Sequence, residues 1–453
     1  MNQWKTATQP VESHGFIRHP KGDRREFIQG IGSLILSGVA GTQVLASSAF
    51  GCGGHTETRP PLKEDLSFQG IPPEGYVRLA FNESPYGPPP TAFAAIDEML
   101  DHPYAMESQD THFLPGINRY PDVLNTQLTK IIARLHRVKT MNVIPCCGIS
   151  ELLYMCSQAF LDIGRDLVMP DATFPLLRNY AMNRGTAIIL VPYTSDHHVD
   201  LSAMLDAVGP NTSLVYLANP DNPTGTVLSF SAIKDFIEAV VARNSKTIVV
   251  VDEAYMDYVN LDPLPEAIPL IRHYPVIVGR TFSKAYGMAG LRGGYAIVRK
   301  DLSLILNGFL SGYFGGEPGW RMFEGNVNRL AGAAIAAALS PTGQDFVRQV
   351  RELNAGVREA LIAGLNSLGY TPLESHTSFV FALMNGDGEH LRNWLCDRKI
   401  LVQSGGSFHS RYGDWIRISV GDQAEVETFL GILAGYDKTS PVSSCFNVFY
   451  KGH

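Results

Sequence analysis

Basic residues are not in excess in this chain: 37 Lys and Arg stand against 44 Asp and Glu in 453 residues, a net charge of −7. Without a cationic surplus there is no general means of displacing counterions from a polyanion. Binding to nucleic acid or to an anionic membrane through bulk charge is therefore excluded. Cysteine is scarce as well. Cys52, Cys146, Cys147, Cys156, Cys396 and Cys445 form no C-x-x-C pair and have no H-x-x-x-H partner. That excludes the common zinc spacings and a dense disulfide framework, and the six read as ordinary buried thiols. The pair His197-His198 lies in a polar turn and reads as a solvated loop, so no metal is expected. Internal repeats and low-complexity tracts are absent.

A long, uniformly hydrophobic run is also missing. The nearest approach is residues 31–50, a Gly- and Ser-rich apolar stretch interrupted by Gly32, Gly38, Gly41 and Gln43. It is about long enough to span a bilayer but poorly hydrophobic for that task. Paired arginines precede it, in DRREFIQ (23–29), and the combination resembles a twin-arginine export signal. Small residues at Ser47-Ser48-Ala49 suit cleavage, and Ala49-Phe50-Gly51-Cys52 is a weak lipobox that would place a lipid anchor on Cys52. An exported, periplasmic protein is the expectation, with a cytoplasmic or membrane-anchored one as the alternative.

Length and pattern give an α/β organisation in several parts. The divisions expected are a signal and apolar segment (1–52), an N-terminal arm (53–100), a large domain (101–325), a small α+β domain (326–437) and a tail (438–453). Residues 59–90 are rich in Pro and polar residues and read as an extended arm. Short apolar runs at 142–146, 166–169, 187–191, 213–217, 247–252, 276–279 and 294–298 read as strands, with helices such as 150–161 and 231–243 between them. Apolar strands alternating with helices imply a mainly parallel sheet covered by helices on both faces. Beyond 341 come a long helix to about 368, strands at 379–384 and 415–420, and helices near 390–398 and 424–434.

Four motifs stand in a fixed order near strand ends, where α/β sheets bind ligands. CGISE (147–151) leads from a strand through glycine into a helix. NPDNPTG (219–225) follows a strand directly. VVVDEAY (249–255) ends one, and TFSKAYGMAGLRGGY (281–295) contains a lysine flanked by hydroxyls with an arginine eight residues on. Singly each is weak, since a lysine after serine is usually a surface lysine and NPTG is usually a turn. Together they are specific.

In that order they resemble the class I/II aminotransferases of pyridoxal phosphate (PLP) fold type I. LAFNESPYG (79–87), NRYPD (118–122) and WIRISVG (415–421) further resemble the histidinol-phosphate aminotransferase branch, over roughly residues 76–435. The resemblance implies a large PLP domain and a smaller C-terminal one, with Lys284 holding PLP as a Schiff base and moving the α-proton. It implies Asp252 against the pyridine nitrogen, Asn222 and Tyr255 donating to the ring's phenolate oxygen, and Phe174 stacked on the ring. Gly148, Ser150, Thr281, Ser283 and Arg292 would form a phosphate cup at a helix N-terminus. Tyr120 would reach the cofactor of a second subunit, which makes the protein a homodimer with shared sites. Arg417 would grip a carboxylate or phosphate of the substrate, with Tyr86 and Gln403 beside it.

The implied activity is amino transfer between an amino acid, or a related amine, and a 2-oxo acid. Side-chain types leave open a PLP lyase, decarboxylase or cyclase, and a non-catalytic exported binding protein. The branch usually carries a second phosphate-gripping arginine where this chain has neutral Gln403. Two segments, 102–116 and 311–325, also look longer than usual, and EGNVN (324–328) has glycine in place of an aromatic. These departures point away from histidine biosynthesis.

Overall fold

The computed structural model describes residues 75–101, 117, 121–311 and 327–442, all within one compact unit, Ser67–His453. The twin-arginine segment, the apolar stretch, Cys52, Tyr120, the long segments 102–116 and 312–325, and the tail from 443 lie outside the described residues. Among those described, no helix is long and apolar enough to cross a membrane.

In chain order the first strands and helices are β1 (Val77–Arg78), α1 (Pro90–Asp101), α2 (Asp122–Leu135), β2 (Val143–Cys146), α3 (Ile149–Phe160), β3 (Asp166–Pro170), α4 (Leu176–Asn183), β4 (Ala187–Val191), α5 (Leu201–Ala207) and β5 (Thr212–Ala218). Then follow α6 (Phe230–Arg243), β6 (Ile248–Asp252), β7 (Val276–Thr281), β8 (Gly294–Val298) and α7 (Lys300–Ser311). Strands β2 to β8 form one seven-stranded sheet in the order β2-β8-β7-β6-β5-β3-β4. All neighbours are parallel except β8, which runs antiparallel to both β2 and β7. The seven strands expected from the sequence are all present.

Their alternation shows why. In a strand, successive side chains point to opposite faces. Val249 and Val251 of β6 enter one apolar cluster with Val215, Leu217, Val276 and Val278. Val250 and Ile248 enter another, with Leu214, Tyr216 and Ile277. Both faces are buried, so the strands read as unbroken apolar runs.

Residues 90–101 depart from the expected arm. They form helix α1, which packs against a later helix, α8 (Arg329–Ala338). Pro90 is tolerated in the first turn, where its missing N–H costs nothing, and Ala92 and Met99 supply the buried face.

The remaining elements are α9 (Pro341–Ser367), β9 (Thr371–Pro372), β10 (Phe379–Leu383), α10 (Gly388–Cys396), β11 (Ile400–Leu401), β12 (Gln403–Ser404), β13 (Trp415–Ser419) and α11 (Gln423–Leu433). Ser340 caps α9 by accepting from the Gly343 amide, and Asp422 with Glu425 forms a capping box on α11. An antiparallel sheet, β12-β13-β10-β9, packs with α9, α10 and α11 around a third cluster. The 27-residue α9 joins the cores: Val347 and Val350 belong to the first, and Val357, Leu361 and Leu365 to the third. Strand β1 pairs in parallel with β11, Val77 opposite Ile400 and Arg78 opposite Leu401. The arm's described part is thereby stitched to the small sheet.

Two expectations need correction. Cys396 is disulfide-bonded rather than a free thiol, whereas Cys146, Cys147 and Cys156 are free. His197 is not a solvated loop residue. With φ +65° it turns inward, lies 3.2 Å from the Tyr412 hydroxyl and meets Trp415 edge-on at 4.7 Å. Local polarity around it concealed a contact with residues more than two hundred positions away.

Beneath the ends of β6 and β7, Arg280 is fully enclosed by carboxylates: Glu253 at 2.7 Å, Glu266 at 2.9 Å and Asp257 at 3.6 Å. Burial pushes Glu253 up to about 7 despite the guanidinium beside it. Removing this guanidinium would strand the buried Glu253. Arg280→Met is therefore expected to lower unfolding stability by about 3–5 kcal/mol, read from urea denaturation; an unchanged midpoint would refute the role.

Candidate active site

The C-terminal ends of β5, β6 and β7 lie side by side, with Ala218 opposite Asp252 and Asp252 opposite Gly279. Apolar runs place Asp252 there, buried at 4% exposure. Tyr216 donates its hydroxyl to Oδ2 at 2.9 Å, and the Ala254 amide donates to Oδ1 at 3.0 Å. Burial raises the carboxyl to about 6, against the opposing pull of these donors and of Lys284. A buried carboxylate held by two donors is poised for a cation.

The loop after β5 is organised by Asp221. Thr173, Tyr193 and Thr224 all donate hydroxyls to it, and the Gly225 amide donates to its carbonyl. Asn222 is thereby fixed beside the small sheet, where its Oδ1 accepts from Arg417 Nη1 at 2.6 Å. An arginine can only donate. The Asn222 amide is thus oriented, its NH2 directed away from Arg417.

Tyr255 is oriented by the same logic. Asn82 Nδ2 donates to its hydroxyl at 2.9 Å, leaving the phenolic proton to be given elsewhere. Asn82 adopts a left-handed φ of +56° and exchanges two hydrogen bonds with Ser419 of β13. Lys284, three residues past β7, donates from Nζ to the Phe81 carbonyl at 3.0 Å, with Nζ 5.5 Å from the Tyr255 ring centre.

Two residues past β2, which β8 separates from β7, Gly148 caps α3 with φ +76°, a conformation that favours glycine. A Cβ there would lie 2.8 Å from Arg292 Nη2. Arg292, itself left-handed at φ +57°, also reaches Ser283 Oγ at 3.4 Å. Thr281 donates to Ser283 Oγ at 3.0 Å and both are buried. Ser150 is half-buried in the first turn of α3. Amide donors at a helix start, hydroxyls and a guanidinium make a cup suited to an oxyanion.

Arg417 lies between Phe379 and Phe408, 5.3 and 5.1 Å from their ring centres, and donates from Nη2 to the Ala80 carbonyl at 2.8 Å. Gln403 is directly across the ladder from it, buried, with Nε2 donating to Ser407 Oγ at 2.6 Å. Phe174 sits half-buried beside Thr173, on the loop tied to Asp221. Tyr86 is half-buried against the cluster that contains Tyr255 and Phe379, with the carboxyls of Asp422 and Glu425 in electrostatic reach. Burial, reinforced by those carboxyls, raises its phenol.

Thus Lys284, Asp252, Tyr255, Asn222 and Arg417 converge on one site, with Gly148, Ser150, Thr281, Ser283 and Arg292 forming the cup. Sequence reasoning missed Asp221, Asn82 and Tyr216. Asp221 had a local signal, an acid inside a Pro- and Thr-rich turn. Asn82 had none, because its partners lie 173 and 337 residues away.

The sequence from 74 to 433 matches the family model for aminotransferase class I and II. The chain belongs to this family. The aminotransferase is 32% identical over 375 residues to the histidinol-phosphate aminotransferase of Moorella thermoacetica, covering 82% of this chain and 88% of that one. It is equally 32% identical to that of Geobacillus thermodenitrificans, covering 81% and 92%. In structure it is similar to the histidinol-phosphate aminotransferase of Sinorhizobium meliloti in complex with pyridoxal-5′-phosphate, with TM-score 0.68, 28% identity, and 79% and 89% of the two chains covered.

A side chain at position 148 would both strain the backbone and crowd Arg292. Gly148→Ala is expected to weaken PLP binding at least about tenfold, read by titrating apoenzyme and following visible absorbance. Wild-type affinity in that variant would remove Gly148 from the cup.

Proposed function

We propose that this aminotransferase is PLP-dependent, that Lys284 is its PLP-bearing lysine, and that it transfers amino groups between an amino acid and a 2-oxo acid. The observation that carries this reading is the convergence of oriented groups: Asn222 and Tyr255 each have their accepting atom engaged, so each presents a donor. Bound PLP supplies an electron sink that stabilises negative charge at the substrate's α-carbon.

Asp252 would hold a proton at the ring nitrogen by charge pairing in a buried setting. Asn222 and Tyr255 would give hydrogen bonds to the ring oxygen, and Phe174 would cover the ring. The cup from Gly148 to Arg292 takes the phosphate. Lys284 Nζ would take and return the α-proton as a positioned base, a contribution worth about 10²–10⁴-fold in rate. Arg417 orients the substrate by its carboxylate, its own position set by Asn222 and Ala80. Tyr120, by resemblance, reaches across a homodimer interface.

The donor is an amino acid without a distal phosphate. Gln403 stands opposite Arg417 as a neutral group with one of its two N–H donors given to Ser407, so a dianion there would meet no guanidinium at position 403. The relatives named histidinol-phosphate aminotransferase give the competing substrate. We also propose export by the twin-arginine route, which carries folded, cofactor-loaded proteins. Arg24-Arg25 and the stretch at 31–50 support it, as does the start of the family match only at residue 74.

Wild-type protein is expected to be yellow, with Lys284→Ala losing both the colour and turnover. A colourless wild type that takes up no PLP would sink the cofactor assignment. Mixed with a panel of amino acids, the enzyme should accumulate the pyridoxamine form without releasing carbon dioxide; histidinol phosphate as the best donor would overturn the substrate reading. Arg417→Met should raise KM for the amino acid roughly 10–100-fold while the colour stays. Fractionation of cells making wild type and the Arg24→Lys/Arg25→Lys variant tests export. Identical cytosolic location of both would refute it.

A further inference from the structure

Between β12 and β13 the chain passes through Gly405, Gly406 and Gly413 in two single turns, Gly405–Ser407 and Ser410–Tyr412. Short turns rich in glycine hold little conformation by themselves. The position of this segment is therefore set by its tertiary contacts, which are of two kinds.

On one side it packs against its own small sheet. The Phe408 ring centre lies 5.1 Å from the Arg417 guanidinium, and the Tyr412 ring lies 5.1 Å from Phe381 and 5.6 Å from Trp415. On the other side it reaches the seven-stranded sheet, at the C-terminal ends of β3 and β4. Arg411 pairs with Asp171, the residue after β3, and its guanidinium lies 5.6 Å from the ring of Tyr193, two residues past β4. His409 Nε2 is 3.8 Å from the same carboxylate, and the Tyr412 hydroxyl meets His197 at 3.2 Å. Exposed ion pairs contribute little, but the Asp171 side chain is only 8% exposed. Without Arg411 a buried carboxylate would lose its closest cation.

Asp171 also stands three residues before Phe174. Thr173, between them, donates to Asp221, and so does Tyr193. One ion pair thus joins two loops. The first leads through Asp221 to the turn that carries Asn222, and the second carries Phe408 against Arg417.

We infer that Asp171 and Arg411 are positioning residues, an ion pair that closes segment 405–412 onto the seven-stranded sheet and so fixes the Phe408 wall beside Arg417. They act on Arg417 through Phe408. The inference rests on the reading of Arg417 as the group that orients the substrate's carboxylate.

Two measurements on full-length, PLP-loaded protein test it. Hydrogen exchange read by mass spectrometry follows the amides of 404–413. In Asp171→Asn and in Arg411→Met these should exchange at least about fivefold faster than in wild type, while those of β6 do not change. Kinetics are then taken with whichever of L-glutamate, L-alanine and L-phenylalanine turns over, since all three carry the same α-carboxylate. KM should rise roughly 5–10-fold in either variant, with kcat within about twofold and the visible absorbance kept. Arg411→Lys, which retains the charge, should lose less than Arg411→Met. The double variant should be no worse than the poorer single one, as for two halves of one interaction. Wild-type exchange in both single variants, or KM effects that multiply in the double variant, overturns the inference. So does an unchanged KM in both when Arg417→Met raises it. An unchanged KM in Arg417→Met overturns instead the reading of Arg417 on which the inference stands.

Discussion

A carboxylate buried at the end of a parallel strand is the constraint around which this aminotransferase is arranged. Asp252 is buried, so its charge depends on Tyr216, the Ala254 amide and an incoming cation. Tyr216 is itself in the sheet, two positions before Ala218, the residue opposite Asp252 in the ladder. The strand register that fills the core also delivers the hydroxyl to the carboxylate. Packing and site chemistry are here the same arrangement.

Around that carboxylate, the donors are oriented by groups that do no chemistry themselves. Asp221 holds the turn that carries Asn222, Arg417 sets which way the Asn222 amide faces, and Asn82 does the same for Tyr255. Each is a directional argument: a group that can only donate forces its partner to accept, and the partner's other end then faces the site. Asn82 is tied to Ser419 and Arg417 to Ala80, so the small sheet and the N-terminal segment act as one support. The pairing of β1 with β11, and the cluster of Cys396 with Ala80 and Leu401, hold that support in place.

Several parts of this were legible in the sequence. The seven strands were, because burial on both faces produces apolar runs that stop at Gly, Pro or Asp. Gly148, Ser283, Lys284 and Arg292 were, because a phosphate cup needs its glycine, hydroxyls and guanidinium at short fixed spacings. Helix α1 was not: Pro, Thr and Ala at its start resemble the preceding arm, and only packing on α8 identifies its apolar face. His197 was read as solvated because its neighbours in sequence are polar, whereas its contacts are Tyr412 and Trp415.

The sequence by itself determined the class of chemistry and the α/β frame, since both rest on local spacing: a lysine among hydroxyls, an acid at a strand end, glycine before a helix. Tertiary structure alone decided how those groups face one another. Asn82, Ser419 and Asp221 act through partners up to 337 residues away, and no local pattern encodes a contact made only when distant segments close on each other. The pairing of Gln403 with Arg417 is made instead within the small sheet, across the β12–β13 ladder. It turns a neutral residue at one position into an argument about what the enzyme's substrate carries at its far end.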